Sequence, residues 1–253
     1  KKKKDYDLQG SQQYQYQGFL DLARQAALKA IEGPYSLLDS YGSLFAYQTA
    51  NNNSESLFQL QWLTGSTDAI GWGCNNAMQA FFAWSTMVGE TNWGNATYAS
   101  YDLVREYDPQ DRIRRHNTIC TVGEYYSELN SKNGGYTYNV TESGYDNKCN
   151  IKKHVIGKID DNGQSYQQSS GVNTYMMRLA DVYLNLAEAI LGNNASTTDE
   201  TALTYFNKVR VRAGMPELKS ITYENLRYER RIEFALEGQY WYDLLRRSYY
   251  QQQ

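Results

Sequence analysis

The sequence has few residues of the types that bind metals or carry out thiol chemistry. It contains 2 histidines and 3 cysteines, and the cysteines Cys74, Cys120 and Cys149 form no C-x-x-C pair. Zinc and redox sites are usually recognised by such pairs or by their spacing from histidines. The sequence therefore predicts neither a metal site nor another cofactor, and it leaves the pairing of the cysteines open.

Long apolar runs and an excess of basic residues are missing as well. No run of 18 apolar residues occurs, so no segment has the length of a membrane-spanning helix. The formal net charge is −3, whereas a protein that binds nucleic acid needs lysine and arginine to neutralise phosphates. We therefore expect no nucleic-acid partner. The lysine run at the start is followed by Asp5 rather than by an apolar region, so no signal peptide is visible.

The short motifs of several large enzyme classes are also absent. The sequence contains no G-x-S-x-G, no phosphate-binding loop, no G-x-G-x-x-G after a strand and no H-E-x-x-H. Glu229, Glu233 and Glu237 are spaced by four residues, which raises the alternative of paired glycosidase carboxylates. Arg230 is a natural ionic partner for Glu233 on the same helix, so we expect a structural role for this segment and no catalysis.

Aromatic residues, by contrast, are abundant: the chain has 24 tyrosines and 5 tryptophans. Such side chains combine a flat apolar face with a polar tip, and they suit ligand platforms and protein interfaces as well as cores. Four of the tryptophans lie in or beside residues 64–95, a stretch rich in glycine and small polar residues that is predicted to be mainly loop. These four are Trp62, Trp72, Trp84 and Trp93.

This loop is the candidate ligand site. Sugar rings present apolar C–H faces that stack on aromatic rings, while nearby amides and carboxylates bind the hydroxyl groups. The alternative is that the aromatic side chains only pack the loop onto the helices. The candidate ligand-binding residues are Trp62, Trp72, Trp93, Asp68, Asn75 and Asn76.

Helical periodicity is strongest in the last third of the chain. Apolar residues at three- and four-residue steps form one stripe from Tyr175 to Ile190. The polar side of the same segment carries four residues, which we expect to face solvent or a neighbouring helix; the alternative is a polar ligand surface. They are Arg178, Asp181, Asn185 and Glu188. The pattern predicts helices over residues 175–191, 198–213 and 222–238, and a short helix over 240–247.

The ends and buried sides of these helices are also predicted. Thr197 with Glu200 has the pattern of a capping box, and Thr222 has that of a helix N-cap. Leu186, Phe234 and Trp241 lie on the apolar sides of their helices, so all three are expected to be buried.

The pattern upstream is more mixed. It predicts a helix over residues 18–31, a short helix near residue 78, short strands over 57–62, 136–140 and 154–159, and a turn at 160–163. The sequence therefore predicts a mainly α fold with long loops and a few short strands. Its antiparallel helices, joined by short turns, are typical of tetratricopeptide-like packing.

Three segments resemble the SusD/RagB family closely, in order and in spacing. They are Met177–Ala189, Asn207–Pro216 and Glu229–Gly238, the last leading into Trp241–Arg247. Weaker similarities lie upstream, at residues 26–37, 52–61 and 108–112, so the resemblance covers most of residues 18–247.

The resemblance implies a fold and an expected extent. We expect a single SusD/RagB-like domain over residues 1–253, built on a helical scaffold of tetratricopeptide-like helix pairs, with residues 175–247 as its helical core. Members of the family are roughly twice as long and begin with a lipoprotein signal and further helix pairs. We therefore expect the chain to be incomplete at its N-terminus; the alternative is a truncated paralogue.

The resemblance also implies a function. The expected protein is a non-catalytic, extracellular nutrient-binding subunit that takes an oligosaccharide or a peptide. It would act as a lid on a SusC-like TonB-dependent barrel of the Bacteroidetes outer membrane, anchored by a lipid on the missing N-terminus. The alternative is a structural or assembly subunit of another outer-membrane complex, without a ligand of its own.

Overall fold

The computed structural model describes residues 8–63, 76–83, 87, 97–139, 149–158, 161, 165–166 and 169–251. Eight α-helices lie within these residues: α1 (Leu8–Ile31), α2 (Met78–Phe82), α3 (Tyr101–Glu106), α4 (Arg112–Thr118), α5 (Leu179–Leu191), α6 (Glu200–Arg212), α7 (Tyr223–Glu233) and α8 (Gln239–Gln251). In this part of the chain, no helix combines the length and the apolar character needed to cross a bilayer.

The strands among the described residues are short and form antiparallel pairs. The pairs are β1 (Ser56–Leu60) with β6 (Thr174–Arg178), β2 (Tyr125–Tyr126) with β3 (Tyr136–Thr137), β4 (Ser165–Tyr166) with β5 (Ser169–Ser170), and β7 (Ser196–Thr197) with β8 (Ile221–Thr222). Helices therefore dominate, and the mainly α fold predicted from the sequence is confirmed.

The main core lies where α5 packs against α1, α6 and α7. Leu186 of α5, Phe206 of α6 and Leu226 of α7 are fully buried there. Each helix buries its apolar stripe against the others, because removing apolar surface from water stabilises the fold by about 25 cal/mol per Å². Phe234 is buried as well, at 3% exposure, so the predicted burial of Leu186 and Phe234 is confirmed.

Four of the predicted helix ends differ from the structure by four residues or more. The helix predicted over 18–31 begins at Leu8, and the helix predicted over 240–247 extends to Gln251. The helix predicted from residue 175 begins at Leu179, because residues 174–178 are extended and pair with β1. The helix predicted to reach residue 238 ends at Glu233. Leu236 and Gly238 then adopt left-handed conformations, with φ of 66° and 81°, which turn the chain toward α8.

One of the two predicted caps was also wrong. The N-cap of α6 is Asp199, whose side chain accepts a hydrogen bond from the backbone N–H of Ala202. Thr197 lies in β7 instead and accepts a bond from the N–H of Asp199. Thr222 does cap α7, in a capping box with Asn225.

Trp241 was expected to be buried, but it is 64% exposed. Helix α8 is attached through Asp243, which lies against Arg230 of α7 at 2.9 Å. Residues two apart on a helix point about 200° apart, so the helix face that carries Asp243 turns Trp241 toward solvent.

The strand predicted at residues 154–159 is not formed over its described part, residues 154–158. His154 has a φ of 71°, which breaks the extended path, and its Nε2 lies 3.2 Å from the Leu236 carbonyl oxygen. The strand predicted at 136–140 is shorter than expected, and its last residue lies outside the described residues. The strand at 57–62 is confirmed as β1. Of the predicted turn at 160–163, only Asp161 is described, and it accepts bonds from the N–H groups of Asn130 and Lys158.

Candidate functional site

Trp62 follows β1 and is fixed at two points to the start of β6. Its backbone N–H donates to Asn173 Oδ1 at 3.0 Å, and its indole Nε1–H donates to Thr174 Oγ1 at 2.9 Å. The residue is half-buried, and its neighbours Leu60 and Leu63 are exposed. Trp62 therefore has a fixed position and keeps part of its surface open to solvent.

Asn76 lies at the other end of the segment 64–75 and is fixed to the same stretch of chain. Its backbone pairs with Ser170 in both directions, at 3.1 and 2.9 Å. Its side-chain Nδ2 donates to the Val172 carbonyl at 2.8 Å, and its Oδ1 accepts from the N–H of Met78 at 3.0 Å. Asn76 is only 4% exposed, so its side-chain amide is occupied by these buried contacts.

The short stretch 170–174 thus binds both Trp62 and Asn76, the first and last residues of a span, 62–76, that carries five of the six candidates. Four residue steps of extended chain span at most about 14 Å, so Trp62 and Asn76 are brought to one small region. Asp68, Trp72, Asn75, Trp84 and Trp93 lie outside the described residues. The ligand roles of the six candidate residues stay predictions.

Side-chain amides that the sequence analysis did not select build this region. Asn173 is buried, and its Nδ2 donates to Gln61 Oε1 at 2.8 Å and to Gln59 Oε1 at 3.2 Å. Asn52 and Gln61 exchange two amide hydrogen bonds, at 3.2 and 2.9 Å. Asn51 Oδ1 accepts from the N–H of Asn173 at 2.7 Å. Residues 51–61 and residue 173 are far apart in the sequence. The only feature of the sequence that could have indicated this cluster is its high density of asparagine and glutamine.

A second buried feature joins the three family-like segments. It is a continuous network of ten charged side chains, five cationic and five anionic, and no member is more than 8% exposed. We call it the ten-residue network; its members are Arg114, Arg178, Arg210, Arg212, Lys153, Asp111, Glu55, Glu229, Glu233 and Glu237.

Arg178 and Glu233 lie at the centre of this network. Arg178 contacts Glu233 at 2.6 Å, Glu55 at 3.0 Å and Glu237 at 2.9 Å. Glu233 also accepts from Arg114 at 3.3 Å and from Arg212. A buried charge is tolerated only where partners and hydrogen bonds compensate it, so each of these residues depends on the others.

The network lowers the pKa of two of its glutamates, Glu233 at the end of α7 and Glu237 in the turn after it. Burial alone would raise the pKa of Glu233, but Arg212, Arg178 and Arg114 outweigh burial and lower the pKa to about 2. Burial acts in the same sense on Glu237, and Arg178 with Lys153 lower its pKa. A general acid must hold a proton near neutral pH, so the closed, ionised Glu233 is unsuited to that role.

The polar side of α5 makes a separate contact with α7. Arg230 donates to Asp181 Oδ1 at 2.7 Å and to Asn185 Oδ1 at 2.9 Å, and it also binds Asp243. Arg178 belongs to the ten-residue network instead. The hydrogen bonds of Asp181 and Asn185 with Arg230 therefore support the expected structural role, contact with a neighbouring helix, for this polar face.

The described residues also form concave surfaces away from Trp62 and Asn76. A groove of about 1080 Å³ lies between residues 35–39 and α6, with Tyr35, Tyr183 and Tyr205 in its walls. It includes none of the candidate tryptophans. Among the described residues, no group of three or more histidine, cysteine or acidic side chains is placed to hold a metal ion.

Comparisons with known proteins agree on the family. The model of the SusD family matches residues 38–253. A SusD-like protein of Bacteroides ovatus is 42% identical over 234 residues, which are 90% of this chain and 41% of the relative.

Solved structures agree on the fold. A crystal structure with xylogluco-oligosaccharide has a TM-score of 0.81 and 40% identity, over 90% of this chain and 45% of the other. A laminarin-binding SusD-like protein has a TM-score of 0.67 and 24% identity, over 93% and 52% of the two chains. The chain therefore spans about half the length of these proteins. The family model and the similarity to the Bacteroides ovatus protein together show that this chain belongs to the SusD family.

Proposed function

We propose that this chain is part of a non-catalytic cell-surface protein that binds neutral oligosaccharides. The observation that carries the proposal is a shared anchor: Trp62 and Asn76 are both fixed on residues 170–174, and Trp62 is partly exposed. Trp62, Trp72 and Trp93 act as stacking platforms, Asp68 and Asn75 bind hydroxyl groups, and Asn76 fixes the end of the loop.

The ligand class follows from chemistry and from a relative. Aromatic faces and amides suit uncharged sugars, and the net charge of −3 gives no general attraction for acidic polymers. The structure that is 40% identical contains a xylogluco-oligosaccharide. We therefore propose a β-glucan of the xyloglucan type as the first ligand to test, with a peptide as the less favoured choice.

The proposed partner is a SusC-like TonB-dependent barrel, which the protein covers as a lid. The proposed location is the extracellular face of the outer membrane, with a lipid on the complete protein as the anchor. Membership of the SusD family supports both proposals. The second candidate is an assembly subunit without a ligand; the partly exposed Trp62, with both its N–H groups bonded to the protein, favours the binding role.

Binding is tested with the complete protein, a xyloglucan heptasaccharide and isothermal titration calorimetry. Replacement Trp62→Ala should weaken binding at least about 30-fold, the effect of losing a central aromatic contact. Trp241→Ala is the matched control, because Trp241 is an exposed tryptophan on α8 and should leave affinity within about twofold. Absence of binding to xyloglucan and laminarin oligosaccharides, or an equal loss in the two variants, would contradict the proposal.

A further inference from the structure

Trp62 is bonded to the protein through both of its N–H groups. The indole has one hydrogen-bond donor and no acceptor, and that donor is already bonded to Thr174 Oγ1 at 2.9 Å. The backbone N–H of Trp62 donates to the side-chain Oδ1 of the preceding residue, Asn173. A ligand that reaches Trp62 therefore meets its ring surface, not an open N–H.

Thr174 holds the indole from a rigid position. It is the first residue of β6 and pairs with Leu60 of β1. From there β6 leads directly to Arg178, a centre of the ten-residue network. The hydroxyl group that accepts from the indole is thus carried by a strand whose other end is fixed in the core. Without such a bond, the χ2 torsion of an aromatic side chain has a broad distribution, so the bond restricts the orientation of the ring.

We propose that Thr174 is a positioning residue for saccharide binding: its hydroxyl group fixes the Trp62 ring in the orientation that stacks on a sugar. The inference rests on the proposed function of Trp62 but adds a residue and a role to it. The ligand is recognised at this point through its apolar C–H face, and the orientation of the ring is set before the ligand arrives. Pre-orientation of this kind removes the cost of ordering a side chain during binding.

The test replaces the hydroxyl group without changing the shape of the side chain. Thr174→Val keeps a β-branched residue in the strand but removes the acceptor. We expect the affinity for the xyloglucan heptasaccharide to fall about 3- to 10-fold, which is the effect of ordering one side chain on binding. Thr174→Ser restores the hydroxyl group and should bind within about twofold of the native protein.

A second measurement needs no ligand. In protein labelled with 5-fluorotryptophan, the ¹⁹F resonance of Trp62 is identified by its loss in Trp62→Phe. Thr174→Val should shift or broaden this resonance in the free protein. Thr197→Val is the matched control, because Thr197 also accepts a hydrogen bond at the surface but lies in β7; it should leave the Trp62 resonance unchanged.

The outcomes separate the two proposals. If the Trp62 resonance is the same in native protein and Thr174→Val, Thr174 does not hold the ring, and the inference is wrong. If the resonance changes but the affinity does not, the ring orientation has no role in binding, and the inference is equally wrong. If the native protein binds no glycan while the resonance changes, Thr174 holds the ring but the proposed function fails, and with it the role in saccharide binding.

Discussion

At the scale of single residues, the surroundings decide what a carboxylate does. Glu233 lies on a spacing that would suit a pair of catalytic acids, yet Arg178, Arg212 and Arg114 surround it completely. Its pKa is about 2, so at neutral pH it is an anion that holds three arginines together. Spacing along a helix cannot distinguish these roles, because the arginines come from other parts of the chain.

The importance of this charge can be measured. Glu233→Gln leaves three buried guanidinium groups with one carboxylate fewer, and breaking a buried ion pair typically costs about 3–5 kcal/mol. We expect the free energy of unfolding, from urea titration followed by circular dichroism, to fall by about that amount.

A matched variant separates burial from charge. Glu224→Gln makes the same chemical change on the same helix, but Glu224 is exposed and pairs only with the partly exposed Arg227 in the described structure. Its effect should stay within about 0.5 kcal/mol. A loss below about 1 kcal/mol for Glu233→Gln would place Glu233 in a far more hydrated site than the structure gives it.

The candidate site was only partly predictable at this scale. Trp62 was selected because aromatic residues beside polar ones suit sugars, a property that is local in sequence. Asn173 and Thr174 were missed because their contact with Trp62 spans 111 and 112 residues. No local pattern reports a contact over that distance.

At the scale of elements, periodicity predicted the helices of the last third well. The 3.6-residue repeat is a property of each segment alone, and it predicted the apolar stripe of α5; the residue type of Thr222 predicted the cap of α7. The prediction failed at residues 174–178, where Tyr175 continues the stripe but the backbone pairs with β1. Pairing with a distant strand outweighed local helix preference there.

Helix α7 and the turn after it should make stability depend on pH. The pKa values of Glu233 and Glu237 are lower in the folded protein than in an unfolded chain, where a glutamate titrates near 4.3. Their contribution to stability is therefore present at neutral pH and is lost as the pH falls from about 5 toward 2.

Urea unfolding at a series of pH values measures this effect. The free energy of unfolding should decrease steadily below about pH 5, and Glu233→Gln should decrease less steeply because one of the two groups is gone. A native protein whose stability is flat between pH 5 and 2.5 would show that these carboxylates titrate normally.

At the scale of the whole molecule, the proposed barrel partner can be tested directly. The complete protein in its native membrane should extract with detergent as a stable complex, with a total interface above about 2,000 Å², the size of permanent assemblies. Pull-down followed by mass spectrometry should find a SusC-like barrel in near-equal amount. A complete protein that purifies from the soluble fraction as a monomer would favour a free binding protein instead.

The ten-residue network also limits when the fold can be completed during synthesis, because its members are far apart in the sequence. Glu55 is paired with Arg178 and Arg212, which are 123 and 157 residues further along the chain. Chains are made at about 5–20 residues per second, so Glu55 waits roughly 8–30 s for Arg212 to be synthesised. Burying a carboxylate without its partner is costly, so Glu55 is not expected to be buried before Arg212 is made. Trp62 lies seven residues beyond Glu55, and its bonds to Asn173 and Thr174 likewise form only after those residues are made. The candidate binding region is thus made early and completed late.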